Sequence, residues 1–456
     1  MTRWSNHKTT WRLGIGLVAT GMVTLAGCAG APAPNSTSAT TGAAVVAGQC
    51  PASDGPVTLN YWSWGAGYED AAKLWNSTHP DIQVTYSDIP VGNSGGYQKM
   101  FNAVKAGTAP DIGFLEFDNI AAFGSQDYLA DVSGYVTDAQ KADFVAPVKK
   151  AVSLGTDGAM FSVPIGGGPM ALIYRKDLFT KHGIDVPTTW AEFEQAAAKV
   201  HKADPSAVLA NFDGYGNANW FAGLSSQNKA QWFAPDGDGW KVSVNDAASK
   251  ATADLWQRML DARSASDLAT FSPAWSSALA KGKIWSWPTA VWGAGVVKSS
   301  APDTSGDWAV APLPTWNAGE KVSATWGGGG LSVFKTSKHP CEAAQFALWM
   351  GTSPDALKIL NKAIGIYPTT NTLLADPLFS EPDKFFGDQK IFDVFRAASE
   401  VTPDFTWGPS MTDTYKAITD AFTNAKTAKS SLSAALDEAQ TAVVSSMQKD
   451  GFTVSQ

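Results

Sequence analysis

In the first part of the chain, the spacing of hydrophobic residues switches between the two-residue period of a β-strand and the 3.6-residue period of an α-helix. The segments VTLNYWSW from Val57, IQVTYSDI from Ile82 and APDIGFLEF from Ala109 have the composition or the alternation of β-strands. Between them, residues 68–78 and 97–107 place apolar side chains at helical spacing. The order strand, helix, strand, helix, strand predicts an α/β fold built on a parallel, doubly wound sheet.

Three loops follow the predicted carboxyl ends of these strands. They are residues 62–67, 89–96 and 116–119. In an open α/β sheet, ligands bind outside the carboxyl ends of the strands, so the three loops are expected on one rim. The first loop carries two tryptophans directly before a glycine-rich turn, WSWGAG, which places indoles at the predicted ligand edge.

A second lobe is predicted to begin after the glycine run at 166–168, where ALIYRKDLF has the pattern of a strand entering a helix. TTWAEFEQAAAKVHKAD then has Thr188 or Thr189 as an N-cap, with acids in its first turn and bases in its last. The remaining predicted elements are a helix at 246–264, a strand at 331–334, a helix at 341–351 and a mainly helical final hundred residues.

The first 27 residues have the three-part order of a secretory signal peptide. Arg3, Lys8 and Arg12 precede the apolar run LGIGLVATGMVTL, which is followed by small residues. The run is too short to span a bilayer permanently. The chain is therefore expected to be exported.

The signal ends in LAGC, which resembles a bacterial lipobox with Cys28 as the lipidated first mature residue. An ordinary signal peptide with a chance cysteine is the alternative. Residues 28–56 are mostly small and polar, rich in proline and glycine, and are expected to form a flexible tether. Several acyl chains would hold such a protein on a membrane surface.

The size of the chain indicates how many lobes it forms, and its net charge excludes some classes of partner. The chain has 456 residues, of which 44% are hydrophobic, more than one ordinary core needs, and this indicates two lobes or one large α/β unit. Three of its 34 basic residues lie in the signal, which leaves 31 basic against 42 acidic residues and a net charge of −11. Such a chain is a poor candidate for binding nucleic acid or an anionic membrane face.

Cys50 and Cys341 remain after the signal, in an oxidising location. A single disulfide and two free thiols are both compatible with the sequence. No CxxC pair or clustered Cys/His spacing is present, and the histidines after the signal are isolated. Neither a zinc site nor another cofactor is predicted.

Tryptophan is the most informative residue type. Only Trp4 and Trp11 of the 19 tryptophans lie in the signal, and several others sit beside glycine or proline. Core packing is the better expectation for any single indole, but their number in loops indicates an aromatic cleft. Indole faces suit the C–H face of a sugar, and carboxylates suit its hydroxyls. Only four arginines follow the signal, which disfavours an anionic ligand.

Two motifs allow either a catalytic or a structural interpretation. GNSGG at 92–96 matches the GxSxG elbow of serine hydrolases, with Ser94 as nucleophile, or is a glycine-rich helix entry. Glu116 and Asp118 could be glycosidase carboxylates, or ligand acceptors at a strand end. The glycine runs at 166–168 and 327–330 match no phosphate-binding motif and are expected to be flexible crossings between lobes.

Several segments together resemble one family, the extracellular solute-binding proteins of bacterial ABC sugar importers, of the maltose-binding-protein-like type. They include VTLNYWSWGAGYED, AGTAPDIGFLEFDN, ALIYRKDLF with PTTWAEF, ALAKGKIWSWPTAVWGAG and GGGGLSVFKTSKHPCEAAQFALWM. The resemblance implies two α/β lobes joined by crossing segments, with a sugar between them and closure sensed by a membrane permease. It implies an N-terminal lobe of 57–168 and 328–363, and a C-terminal lobe of 169–327 and 364–456.

The same resemblance implies the ligand-binding residues. Trp64 matches the turn after the first strand, Asp118 and Asn119 match polar contacts after PDI, and Trp292 matches a stacking aromatic of the second lobe. The correspondence is weaker for Glu116, Trp326, Tyr367, Arg396 and Trp407. The full predicted set is Trp64, Glu116, Asp118, Asn119, Trp287, Trp292, Trp326, Tyr367 and Trp407.

Departures from the family pattern bear on specificity. Arg175 replaces the asparagine of YNKD, and Ile284, Trp285, Ser286 and Trp287 replace a small apolar run. Gly168 stands where maltose-binding protein has a carboxylate, so specificity for maltose does not follow.

The predicted protein is a monomeric, lipid-anchored binding component of an ABC importer for a neutral mono- or oligosaccharide, without catalysis, on the outer face of the cell membrane. A secreted carbohydrate-active enzyme and a glycan-binding adhesin are the rival hypotheses.

Overall fold

The computed structural model describes Cys50 and residues 55–456. The predicted signal peptide, the predicted lipidation site Cys28 and most of the predicted tether lie outside the described residues. Within residues 55–456, no helix has both the length and the apolar composition that crossing a membrane requires.

The described chain alternates strands and helices. The strands are β1 (Val57–Ser63), β2 (Ile82–Asp88), β3 (Ile112–Glu116), β4 (Val163–Arg175), β5 (Ala210–Asn211), β6 (Phe233–Asp236), β7 (Gly239–Val242), β8 (Ala265–Ser266), β9 (Ser286–Ala290), β10 (Trp308–Ala311), β11 (Thr325–Val333) and β12 (Val454–Ser455).

The helices are α1 (Tyr68–Thr78), α2 (Gly96–Lys105), α3 (Phe117–Ser125), α4 (Asp138–Asp143), α5 (Ala146–Ser153), α6 (Lys176–His182), α7 (Trp190–Ala203), α8 (Ala218–Gln227), α9 (Ala247–Asp261), α10 (Pro273–Ala280), α11 (Gly293–Ser300), α12 (Pro340–Thr352), α13 (Pro354–Ile364), α14 (Asn371–Leu374), α15 (Ile391–Glu400), α16 (Met411–Ala428) and α17 (Leu432–Lys449).

Local sequence chemistry accounts for well-defined helix starts such as that of α7. Thr189 is its N-cap, because the Thr189 side chain accepts a hydrogen bond from Glu192 N at 3.1 Å. The Glu192 carboxylate in turn accepts from the backbone N–H of Thr188 and of Thr189. This reciprocal capping box satisfies N–H groups that the first helical turn leaves unpaired.

The largest sheet has seven strands in the order β10-β4-β11-β3-β1-β2, and β9 pairs with β4. β1 runs parallel to both β2 and β3, as the alternating pattern predicts. β11 runs antiparallel to β3 on one side and to β4 on the other. Two small sheets, β12-β7-β6 and β5-β8, complete the second half of the chain.

Two separate hydrophobic cores define two lobes. The first contains Leu59, Ile112 and Phe346, among others, and the second contains Phe193 and Trp256. The predicted two-lobed α/β architecture is confirmed.

The positions of the predicted lobe boundaries stay a prediction. Leu373 and Phe379 pack in the first core, although the predicted boundary assigns residues 364–456 to the C-terminal lobe. The chain therefore contributes to the first core beyond residue 363.

The glycine runs are strands, whereas the sequence predicts flexible crossings. β4 continues through residues 166–168, and β11 begins before residues 327–330. Their backbones pair with each other, with Gly167 opposite Gly328 and Gly166 opposite Gly329. The second lobe is therefore entered along a continuous strand. Glycine is used because the strands approach closely: an added Cβ at Gly168 would lie 2.2 Å from Trp326 O.

A disulfide ties the start of the described chain to α12. The sulfur atoms of Cys50 and Cys341 are bonded at 2.02 Å, and the two residues are 291 positions apart in the sequence. Cys341 lies in the first turn of α12, a helix that packs in the first core. The bond therefore fastens the segment before β1 to the first lobe.

Candidate functional site

The first lobe contributes an aromatic ring and a carboxyl group to one edge of its sheet. Trp64 directly follows β1, and Glu116 is the last residue of β3. The rings of Trp64 and Tyr97 meet edge to face with centroids 5.6 Å apart. The Tyr97 hydroxyl donates a hydrogen bond to Glu116 Oε2 at 2.8 Å. Trp64 and Glu116 are thus held together through Tyr97 at the predicted ligand edge.

The second lobe brings Trp292 to the same place. Trp292 follows β9, and its indole N–H donates to the backbone oxygen of Trp326 at 3.0 Å. Gly327 has a φ of +70°, and an added Cβ there would lie 3.3 Å from Glu116 Oε1 and 3.5 Å from Trp292 Nε1. Glu116 of one lobe and Trp292 of the other therefore converge beside the crossing strand β11.

The predicted tryptophans differ in how much of the ring they expose. Trp64 and Trp292 are half-buried, so part of each indole remains accessible. Trp287 and Trp326 are buried, and the rings of both contact Trp292, at 5.8 and 4.5 Å. The Trp287 indole N–H donates to the buried carboxylate of Asp213 at 2.7 Å. Trp287 and Trp326 therefore support Trp292 from behind.

Asp118 and Asn119 join the two lobes in this conformation. Both are buried in the first turn of α3. The Tyr415 hydroxyl donates to Asp118 Oδ2 at 2.7 Å, and the Thr412 hydroxyl donates to Asn119 Oδ1 at 2.8 Å. Thr412 and Tyr415 lie in the first turns of α16, which packs in the second core. Direct hydrogen bonds between lobes thus occupy two of the predicted ligand-binding side chains.

Tyr415→Phe is expected to favour the open arrangement of the lobes. It removes a donor from the buried Asp118 carboxylate, and such a loss costs about 1–3 kcal/mol. Since the hydrogen bond exists only when α3 meets α16, the cost falls on the closed form. Small-angle X-ray scattering should show a larger radius of gyration for unliganded Tyr415→Phe than for the wild type. Tyr135→Phe, outside this contact, is the matched control, and equal radii for all three proteins would contradict the expectation.

Glu116 and Asp118 share an electrostatic environment that disfavours two charges. Burial and, to a smaller extent, the nearby Asp118 carboxyl group together raise the pKa of Glu116 to about 8, while the hydrogen bond from Tyr97 opposes the rise. Burial also raises the pKa of Asp118, while hydrogen bonds from Tyr415 and Asn119 oppose this effect. The surroundings of Glu116 therefore favour its protonated form, in which the carboxyl group can donate a hydrogen bond to a neutral ligand.

The raised pKa of Glu116 predicts a pH dependence of stability. The folded protein holds a proton that the unfolded chain releases above its ordinary pKa of 4.5, so the free energy of unfolding should fall between about pH 4.5 and 8. Urea denaturation across this range measures the slope. Glu116→Gln should flatten it, because the amide does not titrate. An unchanged slope in the variant would contradict the assignment.

A family model described as bacterial extracellular solute-binding protein matches residues 61–356. This chain belongs to that family. The predicted family is therefore confirmed.

Two similar proteins are named as sugar-binding proteins. This chain is 27% identical over 387 residues to the lactose-binding protein of Rhizobium radiobacter, covering 81% of this chain and 87% of the relative. It is 24% identical over 345 residues to the arabinooligosaccharide-binding protein of Bacillus subtilis, covering 73% of this chain and 77% of that protein.

A solved structure of the same fold contains a bound sugar. The galacto-N-biose-/lacto-N-biose I-binding protein of the ABC transporter from Bifidobacterium longum, in complex with lacto-N-biose, is similar with a TM-score of 0.80 and 28% sequence identity. The similarity covers 89% of this chain and 100% of that one.

Two other predicted ligand-binding residues, Tyr367 and Trp407, make no described hydrogen bond or ring contact with Trp292 or Glu116, although an added Cβ at Gly167 of the crossing strand β4 would lie 3.2 Å from the Tyr367 ring. Tyr367 is buried, its backbone oxygen accepts from Gly167 N at 2.9 Å, and burial raises the pKa of its hydroxyl to about 12. Trp407 is half-buried, and its ring packs 4.6 Å from that of Phe405. Asp404 of the same loop pairs with Lys150 of the first lobe, so the Trp407 loop reaches across the cleft.

The arginines flagged in the sequence have other partners. Arg175 is buried and forms a two-pronged ion pair with Asp177, at 2.8 and 2.6 Å, and a third contact with Asp307. Arg396 donates to the backbone oxygen of Leu374 at 3.2 Å. Arg175 thus fastens β4 to the start of α6 and to the segment before β10 instead of offering a free guanidinium.

Neither catalytic interpretation gains a partner in the structure. Ser94 is exposed at the end of a short 3₁₀ helix (Gly92–Ser94), and no hydrogen bond described for residues 55–456 joins its hydroxyl to a histidine. Asp118 is occupied by Tyr415 and Asn119. Within the described residues, no group of three potential metal-ligating side chains occurs.

Four residues of this site were not among those predicted from the sequence: Tyr97, Asp213, Thr412 and Tyr415. Tyr97 was recognised only as part of a helix face. Thr412 and Tyr415 lie almost 300 residues from their partners and carry no local signal. The sequence does carry a signal for Asp213, because a charged residue within a mostly apolar segment is expected to be buried with polar partners.

Proposed function

We propose that this protein is the substrate-binding component of an ABC importer, and that it captures a neutral mono- or oligosaccharide between its lobes for delivery to a membrane permease. Family membership supports the transport role. The observation that carries the ligand class is the convergence of the half-buried indoles of Trp64 and Trp292, from opposite lobes, on the Glu116 carboxyl group.

The proposed binding chemistry uses both aromatic and polar groups. Trp64 and Trp292 offer apolar ring faces to the C–H faces of a sugar. The Glu116 carboxyl group, whose raised pKa favours the protonated form, donates or accepts hydrogen bonds with the hydroxyl groups of the sugar. An anionic ligand is disfavoured, because the guanidinium groups of Arg175 and Arg396 have other partners and the nearby buried Asp118 would oppose a further negative charge.

Closure of the lobes is the proposed signal to the permease. A ligand that contacts both lobes only when they are closed shifts the hinge equilibrium toward the closed form. The hydrogen bonds of Asp118 with Tyr415 and of Asn119 with Thr412 also stabilise the closed form, and they involve protein groups alone. In this account Asp118 and Asn119 act on closure, and Trp64, Glu116 and Trp292 bind the sugar.

We further propose that the protein is not an enzyme, acts as a monomer and is anchored through Cys28 to the outer face of the cell membrane. The relatives with assigned roles are binding proteins, and the family is extracellular. Cys28→Ala should release the protein into the soluble fraction. Retention of this variant in the membrane fraction would contradict the anchor.

A thermal-shift panel tests the ligand class. Neutral mono- and oligosaccharides should include at least one that raises the melting temperature, since a ligand at about 100 times its dissociation constant adds roughly 2.7 kcal/mol of stability. Uronic acids and sugar phosphates of matching size are the controls and should give smaller shifts. Larger shifts with the charged sugars, or none with any neutral sugar, would contradict the proposal. Incubation with the best sugar should leave it uncleaved.

A further inference from the structure

Phe271 is an exposed aromatic residue beside the cleft that the predicted ligand-binding set does not include. It and Val91 are the exposed large apolar side chains of the described residues, and Phe271 keeps 48% of its surface accessible. Its φ is +69°, in the left-handed region that non-glycine residues rarely adopt. The fold therefore keeps this aromatic ring partly exposed to water, although the backbone conformation of Phe271 is strained.

The ring of Phe271 stands on the aromatic cluster behind Trp292. Its centroid lies 6.2 Å from that of Trp292, and between 5.8 and 6.5 Å from three other indoles. These are Trp275, Trp287 and Trp326. Because part of the ring packs on this cluster, the exposed remainder extends the apolar surface of Trp292 along the second lobe.

The residues on both sides of Phe271 are held in place. The Thr270 hydroxyl donates to Asp213 Oδ1 at 2.6 Å, and Trp287 Nε1 donates to the other oxygen of the same buried carboxylate. On the other side, the Ser272 side chain accepts from Trp275 N and caps α10. Asp213 thus fastens both the backbone next to Phe271 and an indole beneath it, so the ring is positioned before any ligand arrives.

We propose that Phe271 is the stacking surface of a second sugar subsite next to Trp292, and that the ligand is therefore a neutral oligosaccharide of at least two rings. Strained residues that the surrounding structure holds in place are concentrated at ligand sites, and here the strain presents an aromatic face. The inference rests on the proposed function, because it needs a sugar already bound at Trp292. Its occupant is the ring adjacent to the one on Trp292.

Calorimetric titration of a sugar series tests this subsite. The series contains one to four residues of the neutral sugar class that gives the largest thermal shift. The wild-type protein should bind the longer sugars at least tenfold more tightly than the monosaccharide. Phe271→Ala should lose that gain while its monosaccharide affinity stays within twofold of the wild type, and Phe271→Tyr should restore the gain because it keeps the ring.

The possible results distinguish a failure of the second subsite from a failure of the proposed function. Equal wild-type affinity for one ring and for several would overturn the second subsite, as would a Phe271→Ala protein that keeps the full gain. A uniform loss across all lengths would show that Phe271 only supports the Trp292 site and would also overturn it. If no neutral sugar binds the wild type at all, the proposed function itself fails. Unliganded melting curves of the variants confirm that each is folded.

Discussion

Gly168→Ala is expected to destabilise the protein by about 3 kcal/mol or more and to weaken ligand binding. The added methyl would lie 2.2 Å from Trp326 O and 2.8 Å from Gly327 O, both on the paired crossing strand. Backbone atoms cannot rotate away as a side chain can, so β4 and β11 must separate locally. Because these strands connect the two lobes, the separation also changes the angle at which Glu116 and Trp292 meet.

The effect can be assigned to crowding because a matched control exists. Gly134→Ala adds the same methyl at an exposed position with no heavy atom within 4 Å and without a positive φ. Chemical denaturation should give a midpoint near that of the wild type for Gly134→Ala and a much lower midpoint for Gly168→Ala. Equal midpoints for the two variants would mean that the crossing tolerates separation of its strands.

Removal of the disulfide is expected to cost about 5 kcal/mol of unfolding free energy. The bond closes a loop of 291 residues, and cross-links that close long loops restrict the unfolded chain most strongly. The double variant Cys50→Ser with Cys341→Ser leaves no free thiol from the pair. It should unfold at lower urea concentration, with the first lobe affected directly because Cys341 begins α12.

The reduced wild-type protein provides an independent comparison for this variant. Reduction should lower the denaturation midpoint of the wild type to that of the double serine variant, and reductant should not change the variant. Tryptophan fluorescence and circular dichroism recorded together will show whether the two cores unfold in one step. A double variant as stable as the oxidised wild type would contradict the expected role of the bond.

Elements with a strong local pattern were predictable from the sequence. Residues 68–78 place their apolar side chains on one helical face, and the structure has α1 at Tyr68–Thr78 with that face buried. The alternation from Ile82 likewise corresponds to β2. In both cases the spacing of apolar residues along the segment itself shows which face is buried, so the contacts with distant residues need not be known.

The crossing strands were not predictable in this way. Glycine has no side chain to report which face of a strand is buried, so the runs at 166–168 and 327–330 carry no hydrophobic period. Their extended conformation comes from hydrogen bonding with each other across more than 150 residues. The same lack of side chains that suggested flexibility is what allows the two backbones to approach.

The site was predictable only where a fold rule applies. Trp64 and Glu116 end neighbouring strands, so their proximity follows from a parallel sheet. Trp287 lies within β9 and is completely buried, but the alternation of two indoles in IWSW at 284–287 does not show which one faces a cleft. The roles of the predicted ligand-binding residues stay predictions until a ligand is seen.

A crystal structure of the protein with the neutral oligosaccharide that gives the largest thermal shift tests the central claim most directly. We expect a sugar ring stacked on the Trp292 indole, with Trp64 on the opposite side of the cleft and Glu116 hydrogen-bonded to a hydroxyl. A sugar bound elsewhere, with Trp292 still covered by protein and no ligand between the lobes, would contradict the account.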